Sequence, residues 1–200
     1  SACYTAGMTE KTSAKHTLLA AAAALFREKG YDRTTVRDLA KAVGLQSGSL
    51  FYHFRNKEEI LAEVMRGGIL AVTDAVTHSI DDRQPPVQQL RAMAQAHLEM
   101  LLGPSQDALA VMLYEWRSLP TDARAGILQL RNTYESLWGE KMQLAAENGS
   151  ISGDLGSKRR LLLGALNWSS NWFNPAGALT VNDLANEAIT LVAPLPLGAD

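Results

Sequence analysis

Residues 34–61 read TTVRDLAKAVGLQSGSLFYHFRNKEEIL, and the fold turns on how this stretch is parsed. Thr35 followed by Asp38 is a helix-start signal: the hydroxyl can accept the backbone N–H three residues on while the carboxylate answers back. Val36, Leu39, Ala40 and Val43 then fall on one helical face, and Gly44 supplies the backbone freedom for a tight turn. The next segment, about Gln46 to Phe54, returns Leu45, Leu50 and Phe54 to the same core, and Ala40 is small enough to let the two helices approach. Two short helices joined by such a turn make a helix-turn-helix. Asn56, with Glu59 three residues on, opens the following helix.

What remains on the outer face is polar. Gln46, Ser47 and Ser49 project from the first turn of the third helix, the part of a recognition helix that meets base edges in the major groove, with Tyr52 and His53 further along. Thr35 and Arg37 at the start of the second helix, and Lys57 at the start of the fourth, are placed to hold phosphates. A lone His at a helix end is commonly a packed or capping residue, so His53 carries both readings. Tyr52 and Lys57 have no packing role in the pattern, whereas Leu39, Ala40, Val43, Leu50 and Phe54 are read purely as core.

Outward from this stretch, apolar residues recur at helical spacing almost everywhere, and no segment alternates like a strand between hairpin turns. The fold class is therefore expected to be all-α. A first helix is predicted over about Ser13 to Lys29, with Leu18, Ala21, Ala22, Leu25 and Phe26 as its apolar stripe and Gly30 as its stop. Longer helices follow: the fourth to about Asp81, then Val87 to Leu102, Gln106 to Ser118, Pro120 to Glu147, Lys158 to Phe173 and Val181 to Val192, with the tail after that fraying. The domain reading is 1–12 as a disordered or foreign extension, 13–56 as a helix-turn-helix domain, and 57–200 as a ligand-binding and dimerisation domain.

Composition narrows the function classes. Two hundred residues at 46% hydrophobic and 20% charged exclude a chain disordered over most of its length. Cys3 is the sole cysteine, which excludes an internal disulfide and a thiolate metal cage. No uncharged apolar run reaches the roughly 18 residues of a membrane span, and the N-terminus lacks a basic segment followed by an apolar one, so a cytoplasmic protein without membrane contact is expected. Residues 1–66 hold 10 Lys and Arg against 7 Asp and Glu, while the remainder holds 9 against 14. This asymmetry is compatible with nucleic acid at the N-terminal end. The four histidines (16, 53, 78 and 97) show no ligand spacing, and no His-Glu-x-x-His, phosphate-loop, Gly-x-Ser-x-Gly or dinucleotide glycine pattern occurs. Neither metal nor cofactor is expected, and an all-helical enzyme is the weaker rival.

The 34–61 stretch resembles the N-terminal domain of the TetR family of transcriptional repressors. That pattern is a Thr-rich helix start, Ile/Leu-Ala, Ala-Gly-Val, Gly-x-Leu-Tyr-x-His-Phe and Lys-x-x-Leu, and the resemblance covers about residues 13–65. It implies DNA contacts from Thr35, Arg37, Gln46, Ser47, Ser49, Tyr52, His53 and Lys57. Two residues depart from it. Phe51 stands where the family usually has a Tyr, and so cannot hydrogen-bond a phosphate. Gln46 stands where a capping Ser or Thr is common, and so is free to reach a base.

A helix-turn-helix reads a palindrome as a dimer, so the body should supply an interface. LLLGALNWSSNWF (161–173) is apolar on more than one face. Leu161, Gly164 and Ala165 there, with Leu184, Ala188 and Ile189 of the last helix, are the expected homodimer contacts, in the four-helix arrangement that the resemblance also implies. All four Trp lie beyond residue 115, and with Met93, Met100, Met112, Tyr114 and Tyr134 they offer enough large apolar surface to line a cavity. YEWRSLP (114–120) and NWSSNWFNPAG (167–177) resemble the C-terminal half of TetR-family regulators that answer to acyl-CoA thioesters. An apolar ligand is thus expected among Met93, Met112, Trp116, Arg117, Tyr134, Trp138, Asn167, Trp168 and Asn171, with Arg117 near an anionic head group. Asn167 and Asn171 also read as helix-helix hydrogen bonds. The expected function is a repressor released from a palindromic DNA operator by a hydrophobic small-molecule inducer. The alternative keeps the DNA binding and makes the body a docking surface for a partner protein.

Overall fold

The computed structural model describes residues 2–104 and 106–193, with side chains described from residue 14 onward. Among the described residues every regular element is helical, as the periodicity predicts: α1 (Ala2–Lys29), α2 (Val36–Ala42), α3 (Ser47–Leu50), α4 (Lys57–His78), α5 (Pro86–Leu102), α6 (Gln106–Tyr114), α7 (Thr121–Glu147), α8 (Leu155–Trp168) and α9 (Val181–Thr190). Short 3-10 turns, Trp116–Ser118 and Ser169–Asn171, follow α6 and α8. The tail from residue 194 lies outside the described residues.

Local chemistry sets the boundaries. Thr35 and Asp38 form the expected capping box at α2, and Thr180 with Asp183 form a second at α9. Asn56 Oδ1 accepts from Glu59 N at 2.8 Å, while Glu59 Oε2 accepts from Arg55 N at 2.6 Å, which starts α4. Helix α8 begins three residues before the expected Lys158 because Asp154 caps it, accepting from the amides of Gly156 and Ser157. The Ser157 hydroxyl first, and then these amides, hold the Asp154 carboxyl below the usual carboxylate range. Helix α1 extends upstream of the expected Ser13, through a segment without proline. Gly30 and Gly44 adopt φ of 82° and 68°, the left-handed conformation that ends α1 and turns α2 into α3.

The largest departure from expectation is α3. It is helical only over four residues, after which the backbone winds on in tight turns, Tyr52 N to Ser49 O at 3.3 Å and His53 N to Leu50 O at 3.0 Å. Gln46 at its N-cap makes no side-chain bond, and Gly48 weakens it from within. Packing of Leu50, 1% exposed, holds this segment.

The chain forms two compact units, Ser1–Gly68 with Asp107–Leu128, and Ile69–Gln106 with Gln129–Asp200, so the boundaries fall inside α4 and α7. In the first unit Leu18, Ala22, Phe26, Leu39, Ala40, Leu50, Phe54 and Leu61 form the core beneath the helix-turn-helix. Gly68 on α4 lies against the backbone of Ala108 on α6 so closely that a Cβ there would sit 2.8 Å from the Ala108 carbonyl carbon. In the second unit α5 packs on α8 and α9, with Leu90, Met93, Leu98, Leu162, Leu166, Ala185 and Val192 buried.

Candidate functional site

Helix α3 and the turn after it present an outward face. Gln46, Gly48, Phe51, Tyr52 and Arg55 are exposed, and Ser47, Ser49 and His53 are half-buried. Tyr52 is 90% exposed and Phe51 55%, unusual for adjacent aromatics that have no partner to cover them. Gly48 belongs to α3, Phe51 and Tyr52 to the tight turns that continue it, and Arg55 to the bend beyond, so the outward face runs past the end of the helix. Phe51 and Arg55 are the residues that sequence reasoning left out of this face; continuing the period past Leu50 would have found them. The amide of Gln46, with no capping bond, is left outward.

At the start of α2, Arg37 is exposed. Thr35 is exposed too, but its hydroxyl is spent within the capping box, donating to Asp38 Oδ2 at 2.7 Å and accepting from Asp38 N at 3.2 Å. Lys57 is likewise employed inside the fold. Its Nζ donates to Tyr31 O at 2.9 Å and Thr34 O at 3.0 Å, and lies 4.0 Å from the centre of the Tyr31 ring. Thr34 is fully buried, with Oγ1 donating to Gly30 O at 2.8 Å. Lys57 therefore ties α4 to the loop that delivers α2.

The nine expected pocket residues are distributed over both units. Met112, Trp116 and Arg117 belong to the first, where Met112 and Trp116 are half-buried and Arg117 is exposed. In the second, Met93, Tyr134 and Trp138 are buried, Asn167 is half-buried, and Trp168 and Asn171 are exposed. Sequence reasoning missed the centre of this group, His97, which is 2% exposed. Its Nε2–H donates to Asn167 Oδ1 at 3.1 Å, so with the amide oxygen assigned toward the ring, Nδ1 accepts from the Tyr134 hydroxyl at 2.7 Å. Burial pushes the imidazole down to about pKa 4, partly offset by the bond to Asn167, and burial raises the Tyr134 phenol. Both are neutral at pH 7. The Trp138 indole packs edge-on to both rings, and its buried Nε1–H lies near enough to the Tyr134 hydroxyl to oppose the effect of burial on that phenol, without making a hydrogen bond of full geometry. The available signal was a His four residues after Met93 in the apolar stripe of α5.

On α8 an exposed stripe runs through Leu161, Gly164, Ala165 and Trp168 and on to Trp172, with Leu161 69% and Trp168 65% exposed. On α9 Leu184 is half-buried and Leu191 exposed, whereas Ala188 and Ile189 are buried within the unit, which packs α9 on α5. Among the described residues no three His, Cys, Asp or Glu side chains gather as a metal site, and no helix is long and apolar enough to cross a membrane.

Two family models match this arrangement. Residues 18–64 match the bacterial regulatory proteins of the tetR family, and residues 83–194 match the tetracyclin repressor-like C-terminal domain. The chain belongs to the TetR family. It is 30% identical to the HTH-type transcriptional repressor KstR2 of Rhodococcus jostii (strain RHA1), over 91% of this chain and 90% of that one. Among solved structures it is similar to the superantigen PfiT (44% identity, TM-score 0.80, 91% of this chain and 97% of that one). It is also similar to AibR in complex with isovaleryl coenzyme A and operator DNA (26% identity, TM-score 0.83, 90% and 98%). This TetR-family member is a DNA-binding transcriptional repressor, built as an N-terminal helix-turn-helix and a C-terminal helical domain.

Proposed function

We propose that this repressor leaves a palindromic operator when an acyl-CoA thioester enters its C-terminal helices. The observation that carries the reading is the likeness over nine-tenths of the chain to AibR, a protein captured with both isovaleryl coenzyme A and operator DNA. The chemistry of the second unit supports it: a buried and weakly engaged donor, Trp138 Nε1–H, lies beside a polar chain of Asn167, His97 and Tyr134. An acyl tail suits the apolar side chains and a thioester carbonyl suits a weakly engaged donor.

On the DNA side Gln46, Ser47 and Ser49 read base edges, Arg37, Tyr52 and His53 hold phosphates, and Thr35 and Lys57 position the elements that carry them. The protein acts as a homodimer, its face the exposed α8 stripe of Leu161, Gly164 and Ala165 with the neighbouring part of α9. Two copies bring the recognition helices about 34 to 36 Å apart, one turn of duplex. Inducer shifts this balance only by its difference in affinity for the two arrangements, a coupling of about 1–3 kcal/mol. Operator DNA sets its place of work in the cytoplasm. The test is an operator mobility shift titrated with acyl-CoA esters of increasing chain length. Release by one length class is expected, and a shift unchanged by every ester removes the ligand half of the reading and leaves partner docking in its place.

A further inference from the structure

We infer that Phe51 reads the 5-methyl group of a thymine in the operator's major groove. The inference rests on the reading of α3 as the element that enters the groove and adds a base identity to it. Phe51 is 55% exposed and is one of the exposed residues of α3 and the turns after it, with Gly48, Tyr52 and Arg55. Gly48 is also exposed, and a Cβ built there would meet nothing within 4 Å. The absence of a side chain at Gly48 is therefore not demanded by packing inside the protein, and it leaves bare backbone three residues before Phe51 where another surface can come close. The neighbouring groups offer hydrogen bonds and charge: Tyr52 a hydroxyl, Arg55 a guanidinium. Phe51 offers only an apolar ring. Of the four base edges in the major groove, thymine alone carries a methyl, and apolar contact with that methyl is the one recognition a phenyl ring can make there. A phosphate or a base hydrogen-bonding edge would desolvate against the ring without compensation.

The assay uses the full-length protein and a duplex selected by it from a randomised library. Each thymine of the selected duplex is replaced in turn by uracil, which removes the methyl and keeps the Watson–Crick pairing. At one thymine in each half-site the wild-type protein is expected to bind about fourfold more weakly, the transfer value of one buried methyl. The Phe51→Ala variant is expected to bind thymine and uracil duplexes equally, and Phe51→Leu to keep part of the preference. The uracil series on the unaltered protein needs no variant, so a folding defect does not cloud it. Uracil tolerated at every position by the wild type overturns the assignment. If Gln46→Ala still relaxes sequence preference in that event, the groove reading of α3 survives and only the methyl contact falls; if Gln46→Ala is silent too, both fall together.

Discussion

Gly67 and Gly68 stand side by side in the interior of α4, and the structure assigns them opposite responses to the same substitution. An interior helical glycine costs about 1 kcal/mol relative to alanine, so propensity alone predicts that Gly67→Ala and Gly68→Ala each stabilise by that amount. Packing separates them. A Cβ at exposed Gly67 meets nothing within 4 Å, whereas at buried Gly68 it would lie 2.8 Å from the carbonyl carbon, 2.9 Å from the carbonyl oxygen of Ala108 and 3.1 Å from Leu109 N. These are backbone atoms of α6, and they cannot rotate away, so relief requires the two helices to separate. Overpacking of that kind costs about 1–3 kcal/mol, which cancels or outweighs the propensity gain. Gly67→Ala should therefore raise Tm by about 2–4 °C for a chain of this size, and Gly68→Ala should leave it unchanged or lower it by up to twice that. Urea and thermal unfolding at one fixed protein concentration measure both, the concentration being held because self-association would otherwise shift the midpoint. Equal stabilisation by the two substitutions would refute the close approach of α4 to α6. Destabilisation by Gly67→Ala would mean that another surface covers the open face.

His97 is neutral in the folded state and its pKa is depressed from 6.5 to about 4, so the unfolded chain takes up the proton first. Stability should fall by about 3 kcal/mol as pH drops from 6.5 to 4, and His97→Gln should remove that slope between pH 6.5 and about 5; carboxylates held low by their caps, such as Asp38 and Asp183, add their losses from about pH 5 downward in both proteins. Arg37→Ala should weaken binding to all duplexes alike and lower the salt slope by about one, whereas Gln46→Ala should change sequence preference; equal losses on every duplex would misplace the reading face. Lys57→Met removes two charge-assisted bonds to carbonyls, so it should cost about 1.5–3 kcal/mol of stability in urea unfolding, and an effect confined to DNA affinity would contradict its structural employment. Leu161→Glu on the exposed α8 stripe should yield monomers in sedimentation, and an intact dimer would locate the interface elsewhere.

What the sequence made legible was whatever depends on neighbours along the chain. The Thr35–Asp38 and Asn56–Glu59 caps, the Gly30 and Gly44 turns and the helical period are local, and each is present in the structure. Residue employment is not local. Lys57 has the chemistry of a phosphate ligand, yet its Nζ is claimed by carbonyls 26 and 23 residues away, and no spacing rule announces such partners. His97 lies 37 and 70 residues from its hydrogen-bond partners, which is why a search for local ligand spacing passed over it. Trp168 illustrates the converse. A large aromatic suggests a lined cavity, but its position seven residues after Leu161 places it on the exposed stripe of α8, a matter of helical phase rather than residue type.

The release mechanism needs a connection between helices of the C-terminal domain and the helix-turn-helix, and the first unit contains one of the right size. Arg27 on α1 bridges Asp107 on α6 at 2.8 Å, and Tyr31 N donates to Glu115 Oε1 at 3.1 Å just before the 3-10 turn that carries Trp116 and Arg117. Glu115 is braced in turn by Ser118, whose hydroxyl donates to Oε2 at 3.1 Å. The first attachment holds the last turn of α1, and the second meets the chain between α1 and α2, the segment whose carbonyls Lys57 grips from the start of α4. An exposed ion pair contributes about 0.2–1 kcal/mol and a hydrogen bond to a charged acceptor about 1.5–3 kcal/mol, together the magnitude of a typical allosteric coupling. A ligand that displaces Trp116 or Arg117 by enough to break the Glu115 bond thus has sufficient leverage on the loop that aims α2 and α3. Glu115→Gln keeps the acceptor and removes the charge. It should preserve operator binding while shrinking the inducer's effect on affinity severalfold in the mobility shift, and an undiminished response would send the coupling through α4 alone.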